Sequence, residues 1–316
     1  MIDQFGRKIE YLRISVTQKC NMNCIYCNPE GECETLCDSL SIMDFKRIVQ
    51  SMAKCGIKKI RITGGEPLLR NDLCELVQTL SQIDGIDDIS ATTNGIRLKE
   101  MAEPLKKAGL KRVNISLDSL NEEKFKYITG GGKLSVVLEG IASAVKAGLF
   151  PIKINIVVMK GVNDEEINAF INLAKDNPIE VRFIELMPIG DFGEKNKEKV
   201  VFNSSIIRTH PQLISMESTS SGPASMYTIE GFKGLIGFIS PMSHQFCHLC
   251  NRIRLTCDGK IRPCLGQNGE KDLIPVLRNH PENLDEFIRT AILEKPKGHH
   301  FGEEYKSTRS MNKIGG

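Results

Sequence analysis

The stretch of sequence that decides the fold is YLRISVTQKCNMNCIYC, residues 11–27. Residues 11–17 alternate apolar and polar side chains, which predicts a β-strand. Three cysteines follow, Cys20, Cys24 and Cys27, with the spacing CxxxCxxC. Three thiolates so close in sequence can wrap one metal centre from a single loop. This centre is either a zinc ion completed by a fourth cysteine or a cubane iron–sulfur cluster with one iron left open.

Strand and helix patterns alternate along the first part of the chain. Strands are predicted at residues 11–17, 58–63, 88–94, 111–118, 153–158 and 180–185, and helices at residues 41–56, 72–83, 97–108, 134–147 and 164–175. This alternation predicts an α/β fold with a parallel sheet and right-handed crossovers. Because six units are two short of a closed eight-stranded barrel, we expect a partial, open (βα)6 TIM-type barrel.

The last third of the chain has a different pattern. Residues 187–200 and 214–225 are polar and Gly/Ser-rich, which predicts loops or a linker. Short strands at residues 226–229, 235–239, 252–256 and 260–263 and helices near residues 272–278 and 283–293 follow. We therefore predict two domains, a barrel over residues 1–200 and a smaller α+β domain over residues 201–316 that carries a second cysteine cluster.

The composition of the 316 residues excludes several classes of protein. With 41% hydrophobic and 26% charged residues, the chain is neither disordered nor fibrous. It has no run of ~18 apolar residues and no signal-peptide pattern at its start, so we expect a cytoplasmic protein without a membrane partner. The odd count of 11 cysteines argues against a disulfide framework, and a net charge of +3 is too small to predict a nucleic-acid partner.

Polar side chains share one face on five of the predicted strands. Alternate positions carry Arg13, Ser15 and Thr17, then Lys59, Arg61 and Thr63, then Ser90, Thr92 and Asn94, then Asn114, Ser116 and Asp118, and finally Lys153 and Asn155. Because helices cover the outer face of a barrel, these faces should point inward. A cationic interior is costly to desolvate unless an anion fills it. We expect a cavity for a large anionic ligand; the alternative is that one or two of these residues lie on a solvent-facing edge.

The motif around the first cysteines resembles the signature of the radical S-adenosylmethionine (SAM) superfamily. The resemblance rests on CxxxCxxC just past the first strand, on Tyr26 before the last cysteine, and on Gly64-Gly65-Glu66-Pro67 after the second strand. It implies a [4Fe-4S] cluster whose open iron binds the amino and carboxylate groups of SAM. The GGEP segment would contact the SAM amino group.

The second cysteine cluster narrows the resemblance to one family within this superfamily. Residues 246–265, FCHLCNRIRLTCDGKIRPCL, closely resemble the GTP 3′,8-cyclase family of molybdenum-cofactor biosynthesis, which carries a second three-cysteine cluster. Other similar segments span the chain: KKIRITGGEPLLR (58–70), TTNG (92–95), NISLDS (114–119), KINIVVMKGVND (153–164), VRFIELMPIG (181–190) and MNKIGG (311–316).

This resemblance implies a role for each matching residue. The first [4Fe-4S] cluster would be held by Cys20, Cys24 and Cys27, and the second by Cys247, Cys250 and Cys264. SAM would be contacted by Tyr26, Gly65, Ser116 and Met187. GTP would be bound by Arg13, Lys59, Arg61, Thr92, Lys153, Arg182, Arg252 and Arg254. The last two arginines and the first three cysteines are expected to be catalytic, and the Gly315-Gly316 tail to reach into the active site.

The implied reaction converts GTP to 3′,8-cyclo-7,8-dihydro-GTP, the first step of molybdenum-cofactor (molybdopterin) biosynthesis. Reductive cleavage of SAM gives a 5′-deoxyadenosyl radical that abstracts the C3′ hydrogen of GTP. The ribose radical then attacks C8 of guanine, and one further electron gives the product. The implied partners are a one-electron reductant and the downstream cyclic pyranopterin monophosphate synthase, and the chain could also form a homodimer.

Some positions depart from the family pattern. Gln18-Lys19 stands where the family commonly has Asp-Arg, and Asn28 stands where Met is usual, although neither is a ligand position. Two rival classes stay open: another radical SAM enzyme with an auxiliary cluster that acts on a peptide or other substrate, and a non-enzymatic zinc protein with two cysteine sites.

Three further cysteines lie close in sequence to the two clusters and have no assigned role. Cys257 lies midway between Cys250 and Cys264, where a fourth thiolate would close the second cluster. Because Cys257-Asp258-Gly259 predicts a turn between two strands, we expect it to be a bystander. Cys33 and Cys37 are also extra, and an accessory metal or redox role stays open for them.

Replacing Cys257 tests whether it is a ligand. We expect Cys257→Ser to keep the wild-type iron content after anaerobic reconstitution, because three thiolates suffice for a cluster with one open iron. Cys250→Ser is the matched control and should lose iron. An equal loss of iron from both variants would make Cys257 a ligand.

Overall fold

Six parallel strands with intervening helices confirm the predicted alternation. A computed structural model describes residues 1–28, 40–217, 222–301 and 307–315. The strands are β1 (Tyr11–Ser15), β2 (Lys59–Thr63), β3 (Asp88–Thr93), β4 (Arg112–Ser116), β5 (Lys153–Val158) and β6 (Glu180–Glu185). The helices are α1 (Ile42–Lys54), α2 (Leu73–Ser81), α3 (Leu98–Lys107), α4 (Glu122–Thr129), α5 (Leu134–Lys146) and α6 (Ile167–Asp176). The sequence pattern does not predict α4, because Phe125 and Ile128 are its only buried apolar residues.

The C-terminal strands extend the barrel sheet at both of its edges. They are β7 (Ile214–Ser215), β8 (Ala224–Thr228), β9 (Leu235–Ile239), β10 (Arg252–Leu255), β11 (Lys260–Arg262) and β12 (Lys271–Asp272). Among the described residues, twelve strands form one sheet in the order β12-β11-β10-β1-β2-β3-β4-β5-β6-β9-β8-β7. β10 pairs in parallel with β1, and β9 pairs in parallel with β6. The sheet does not close, which is compatible with a partial barrel.

The remaining helices belong to the C-terminal half. They are α7 (Gly190–Lys195), α8 (Asn203–Thr209), α9 (Ile274–Asn279), α10 (Leu284–Leu293) and α11 (Met311–Ile314). The prediction of a loop over residues 187–200 is wrong where α7 lies. That helix has no apolar stripe to signal it, since its buried residue is Gly193. The domain boundary at residue 200 stays a prediction. Within the described ranges, no helix has the length and apolar character needed to cross a membrane.

A capping box starts α1 and also anchors a C-terminal helix. The Ser41 hydroxyl accepts the Asp44 N–H at 3.2 Å, and the Asp44 carboxylate accepts the Ser41 N–H at 3.0 Å. The same carboxylate pairs with Arg278 of α9, whose Nη2 lies 2.8 Å from Oδ2. The start of the first helix therefore fixes the position of α9 against the barrel.

Two stacked rings join β6 to β9. The centroids of Phe183 and Phe238 are 5.6 Å apart, and both side chains are buried. Phe238→Ala should lower the free energy of unfolding by about 3–5 kcal/mol, because it leaves a cavity at this junction. The measurement is urea unfolding, with exposed Tyr127→Ala as the control that should change stability by less than about 0.5 kcal/mol. Equal losses in the two variants would contradict a structural role for the junction.

Candidate active site

The first three cysteines lie on a loop at the carboxyl end of β1. The loop turns where the N–H of Cys27 donates to the carbonyl of Cys24 at 2.9 Å. It is held against the end of α4, because the N–H of Asn23 donates to the carbonyl of Thr129 at 2.9 Å. The helix that the sequence pattern missed therefore positions the cysteine loop.

The three thiols affect one another electrostatically. Burial, with the negative charges of Cys27 and Asp118, raises the pKa of Cys24 well above its ordinary value. Burial and Cys20 raise the pKa of Cys27 to about 12. Such thiols bind as thiolates only when a cationic group compensates their charge. The donor set therefore fits a metal centre.

The two candidate centres differ in how they use thiolates. A [4Fe-4S] cluster spreads its thiolates over several irons, whereas a structural zinc gathers four ligands on one ion. Within the described part of the chain, no three His, Cys, Asp or Glu side chains are grouped so that they could hold one metal ion. Cys33 and Cys37 lie outside the described residues.

The glycines of the GGEP segment let the end of β2 approach the cysteine loop. A Cβ on Gly65 would lie 2.4 Å from the carbonyl oxygen of Lys19, so only glycine fits there. The next residue, Glu66, is buried and accepts the N–H of Asn94 at 2.7 Å. Burial raises the pKa of Glu66 to about 7. Glu66 thus ties this turn to the end of β3.

A buried carboxylate orients the aromatic residue of the cysteine motif. The Tyr26 hydroxyl donates to Asp118 at 2.7 Å, and the other oxygen of Asp118 accepts the N–H of Val157 at 2.8 Å. Burial raises the pKa of Asp118 to about 6. Of the other predicted SAM contacts, Ser116 ends β4, and Met187 follows β6 and packs in a cluster with Ile189 and Ile314.

The inward cations lie side by side across the sheet. Arg13 on β1 is in register with Arg61 on β2 and with Arg254 on β10. Burial, then the positive charges of Arg254 and Arg61, hold the pKa of Arg13 well below its ordinary value. Burial and Arg182 lower the pKa of Lys153 to about 8. These charges share one interior, as the alternation predicts.

One of the predicted GTP contacts, Lys59, lies apart from the buried cations. The side chain of Lys59 is exposed at the amino end of β2, so the structure does not bring it into the interior. Thr92 on β3 is partly buried and is in register with Asn114 of β4.

Several polar atoms of this interior are left for a ligand. Among the described residues, the Nε of Arg254 and the Oδ1 atoms of Asn114 and Asn155 are buried with no hydrogen-bond partner. Native proteins rarely leave such atoms unsatisfied. The interior therefore fits a polar ligand that accepts a hydrogen bond from Arg254 and donates to the two amide oxygens, and the neighbouring cations favour a negative charge on it.

Glu180 is a member of this interior that the sequence interpretation missed. Its carboxylate accepts a hydrogen bond from the Nζ of Lys153 at 2.8 Å and from the Nη2 of Arg182 at 2.5 Å. The period-two alternation of β6 places Glu180 on the same face as Arg182, so the signal was present in the sequence.

The second cysteine set lies beside a strand that carries two arginines. Cys247 and Cys250 precede β10, and Cys264 follows β11. Burial by itself would raise the pKa of Cys250, but the charges of Lys295 and Arg252 lower it to about 7. Burial and Arg252 lower the pKa of Arg254 to about 10. Since Arg254 is in register with Arg13, the second cysteine site adjoins the barrel cations.

Cys257 is buried in the turn between β10 and β11. Its carbonyl accepts the N–H of Leu40 at 3.1 Å. The turn predicted for Cys257-Asp258-Gly259 is confirmed. That Cys257 is not a ligand of the second cluster stays a prediction.

The C-terminal segment reaches the inner face of β1 and β2. Arg309 is anchored by Asp258 at 2.8 Å and by Glu270 at 2.9 Å. A Cβ on Gly315 would lie 2.3 Å from the Oγ1 of Thr63, so the backbone of the tail touches the strand directly. Gly316 lies outside the described residues.

Comparison with known proteins identifies the class. Residues 14–174 match the radical SAM superfamily, and residues 179–301 match the family Molybdenum Cofactor Synthesis C. The fold resembles that of Streptococcus suis SuiB bound to S-adenosylmethionine, with a TM-score of 0.61, 17% identity, and coverage of 93% of this chain and 73% of that chain. It also resembles anSMEcpe with bound AdoMet, with a TM-score of 0.55, 14% identity, and coverage of 92% and 82%. The chain belongs to the radical SAM superfamily.

Curated relatives show to which family within the superfamily the chain belongs. The GTP 3′,8-cyclase of Alkaliphilus oremlandii is 49% identical over 320 residues, which cover 100% of both chains. Those of Clostridium botulinum (strain Hall) and Thermodesulfovibrio yellowstonii are 47% and 45% identical, again over 100% of both chains. Within the superfamily, the chain belongs to the GTP 3′,8-cyclase family.

The charge of the barrel interior can be measured on Tyr11. Its hydroxyl accepts the Nε–H of Arg61 at 2.5 Å. Burial would raise the pKa of Tyr11, but Arg61 and Arg13 lower it to about 8. In an ultraviolet pH titration of iron-free protein, one tyrosine should therefore ionise near pH 8, and Tyr11→Phe should remove this step. Tyr127→Phe, which changes an exposed residue, should leave it unchanged. A step that persists in Tyr11→Phe would contradict the assignment.

Proposed function

We propose that the protein converts GTP to 3′,8-cyclo-7,8-dihydro-GTP with SAM and two [4Fe-4S] clusters, the first step of molybdenum-cofactor biosynthesis. The observation that carries this proposal is a set of buried cations on β10, β1 and β2, with one three-cysteine site at the end of β1 and another around β10 and β11. The full-length relatives that bear the name GTP 3′,8-cyclase support it.

On the SAM side, Cys20, Cys24 and Cys27 would hold the first cluster. When bound, this cluster supplies the electron that cleaves SAM to methionine and a 5′-deoxyadenosyl radical. The chain provides the room and the orientation: Gly65 leaves space at the end of β2, and Asp118 fixes the ring of Tyr26. Positioning of this kind lowers the entropic cost of the reaction.

On the substrate side, the inward cations would bind the triphosphate. Guanidinium groups stay charged and bind phosphate in a bidentate manner. Arg252 and Arg254 lie on one face of β10, because strand residues two apart point the same way. Before GTP binds, Glu180 holds Lys153 and Arg182 in place. Cys247, Cys250 and Cys264 would hold the second cluster beside the guanine.

The tail would complete the site. Arg309 fixes residues 307–315 to the C-terminal strands, and Gly315 touches the inner face of β2. In this position the tail would exclude water from the space above Ser15 and Thr63. The proposal includes an external one-electron reductant as the source of the electron that cleaves SAM. The downstream synthase, a homodimer and a cytoplasmic location stay predictions.

The test is an anaerobic incubation of reconstituted protein with SAM, GTP and a chemical reductant. We expect 5′-deoxyadenosine and the cyclised nucleotide, identified by mass spectrometry. Formation of 5′-deoxyadenosine without the nucleotide product would favour a different radical SAM enzyme. Zinc without iron and sulfide in the purified protein would end the enzyme interpretation.

Arg252→Ala tests the substrate contact. It should weaken GTP binding by about 1.5–3 kcal/mol, the worth of a hydrogen bond to a charged group. Arg208→Ala, which removes an exposed arginine of α8, is the matched control for equilibrium binding and should have no effect. Unchanged affinity in Arg252→Ala would remove it from the GTP site.

A further inference from the structure

Lys295 is a buried ammonium group next to the second cysteine site. It follows α10, is 2% exposed, and donates from Nζ to the carbonyl of Pro263 at 2.7 Å. Pro263 directly precedes Cys264 in the chain. Lys295 therefore contacts the backbone that delivers one of the three proposed ligands.

Within the ranges that the structure describes, no Asp or Glu forms an ion pair with Lys295. Burial lowers the pKa of Lys295, and the negative charges of Cys250 and Cys264 oppose that shift. A buried cation is costly unless an anion accompanies it. The thiolates of the second site are the anions placed to do so.

A second buried cation close to this site, Arg7, has its own counter-charge. The guanidinium of Arg7 pairs with Asp3 at 2.7 Å, and it donates to the carbonyls of Cys247 at 3.0 Å and Pro296 at 2.7 Å. Arg7 therefore clamps the backbone around the site with its charge already neutralised. Lys295 differs from Arg7 in that, among the described residues, no carboxylate neutralises its charge, which is left for the thiolates.

We propose that Lys295 is a positioning residue of the second cluster, whose fixed positive charge offsets the negative charge of the cluster and its thiolates and raises its reduction potential. A nearby cation favours the reduced state because that state carries one more negative charge, and charge and hydrogen bonding near a cluster set its potential. The inference rests on the proposed function only in that Cys247, Cys250 and Cys264 bind a [4Fe-4S] cluster. It requires neither GTP nor SAM.

The experiment measures the potential of the second cluster by itself. The full-length chain carries Cys20→Ala, Cys24→Ala and Cys27→Ala, so that the first site binds no iron, and is reconstituted anaerobically. A redox titration is then followed by electron paramagnetic resonance. Lys295→Met should lower the ratio of reduced to oxidised cluster at a fixed potential by at least tenfold, which is 59 mV for a one-electron couple.

Two further variants separate charge from structure. Lys295→Arg keeps the charge and should stay within about threefold of the parent ratio, or 28 mV by the same conversion. Lys271→Met removes a lysine of the same half of the chain that is paired with Glu294, and it should also stay near the parent. A shift in Lys295→Arg as large as in Lys295→Met, or equal shifts in Lys271→Met and Lys295→Met, would overturn the inference.

Iron content keeps the test decisive if the methionine variant does not hold a cluster. Iron lost from Lys295→Met but kept by Lys295→Arg would support a requirement for the charge, whereas iron lost from both would overturn it. Failure of the wild-type protein to cyclise GTP, with the potential shift still present, would overturn the proposed function and leave this inference standing. A parent protein that binds no iron at the second site would overturn the inference.

Discussion

The parallel pairing of β10 with β1 is the constraint on which the candidate site depends. This register sets Arg254 opposite Arg13, and the next pairing sets Arg13 opposite Arg61. Three guanidinium groups from distant parts of the chain are thereby placed on adjacent strands. Their mutual repulsion and burial are tolerable because the packed apolar faces behind them support the sheet, and because an anionic ligand can enter.

The thiols of the two cysteine sites lie in different electrostatic surroundings. At the first site, burial and mutual repulsion raise the pKa values of Cys24 and Cys27, so the thiols need a metal centre before they ionise. At the second, neighbouring cations hold the pKa of Cys250 near 7. Cys250 is therefore closer to its thiolate form at neutral pH than Cys24 or Cys27 is. The surroundings of the two sites are thus unlike, although each offers three cysteines.

The sequence predicted the barrel and its interior well, because both follow from local periodicity. All six barrel strands and the inward positions of Arg13, Arg61 and Lys153 can be read from alternation. The continuity of the sheet from β12 to β7 could not, since strand order depends on which distant edges meet. Glu180 and Lys295 were missed for different reasons: alternation on β6 marks Glu180, whereas nothing near Lys295 in the sequence reveals that it contacts Pro263.

The sheet order also has a consequence for how the chain is made. During synthesis, β1 is made early, but its partner β10 begins only at Arg252. In the same way, β6 is made before its partner β9, which begins at Leu235. Both edges of the nascent barrel therefore stay open until most of the polypeptide has left the ribosome. Open edges invite wrong pairing between chains. A chain truncated before Arg252 lacks β10, the strand that pairs with β1 at this edge.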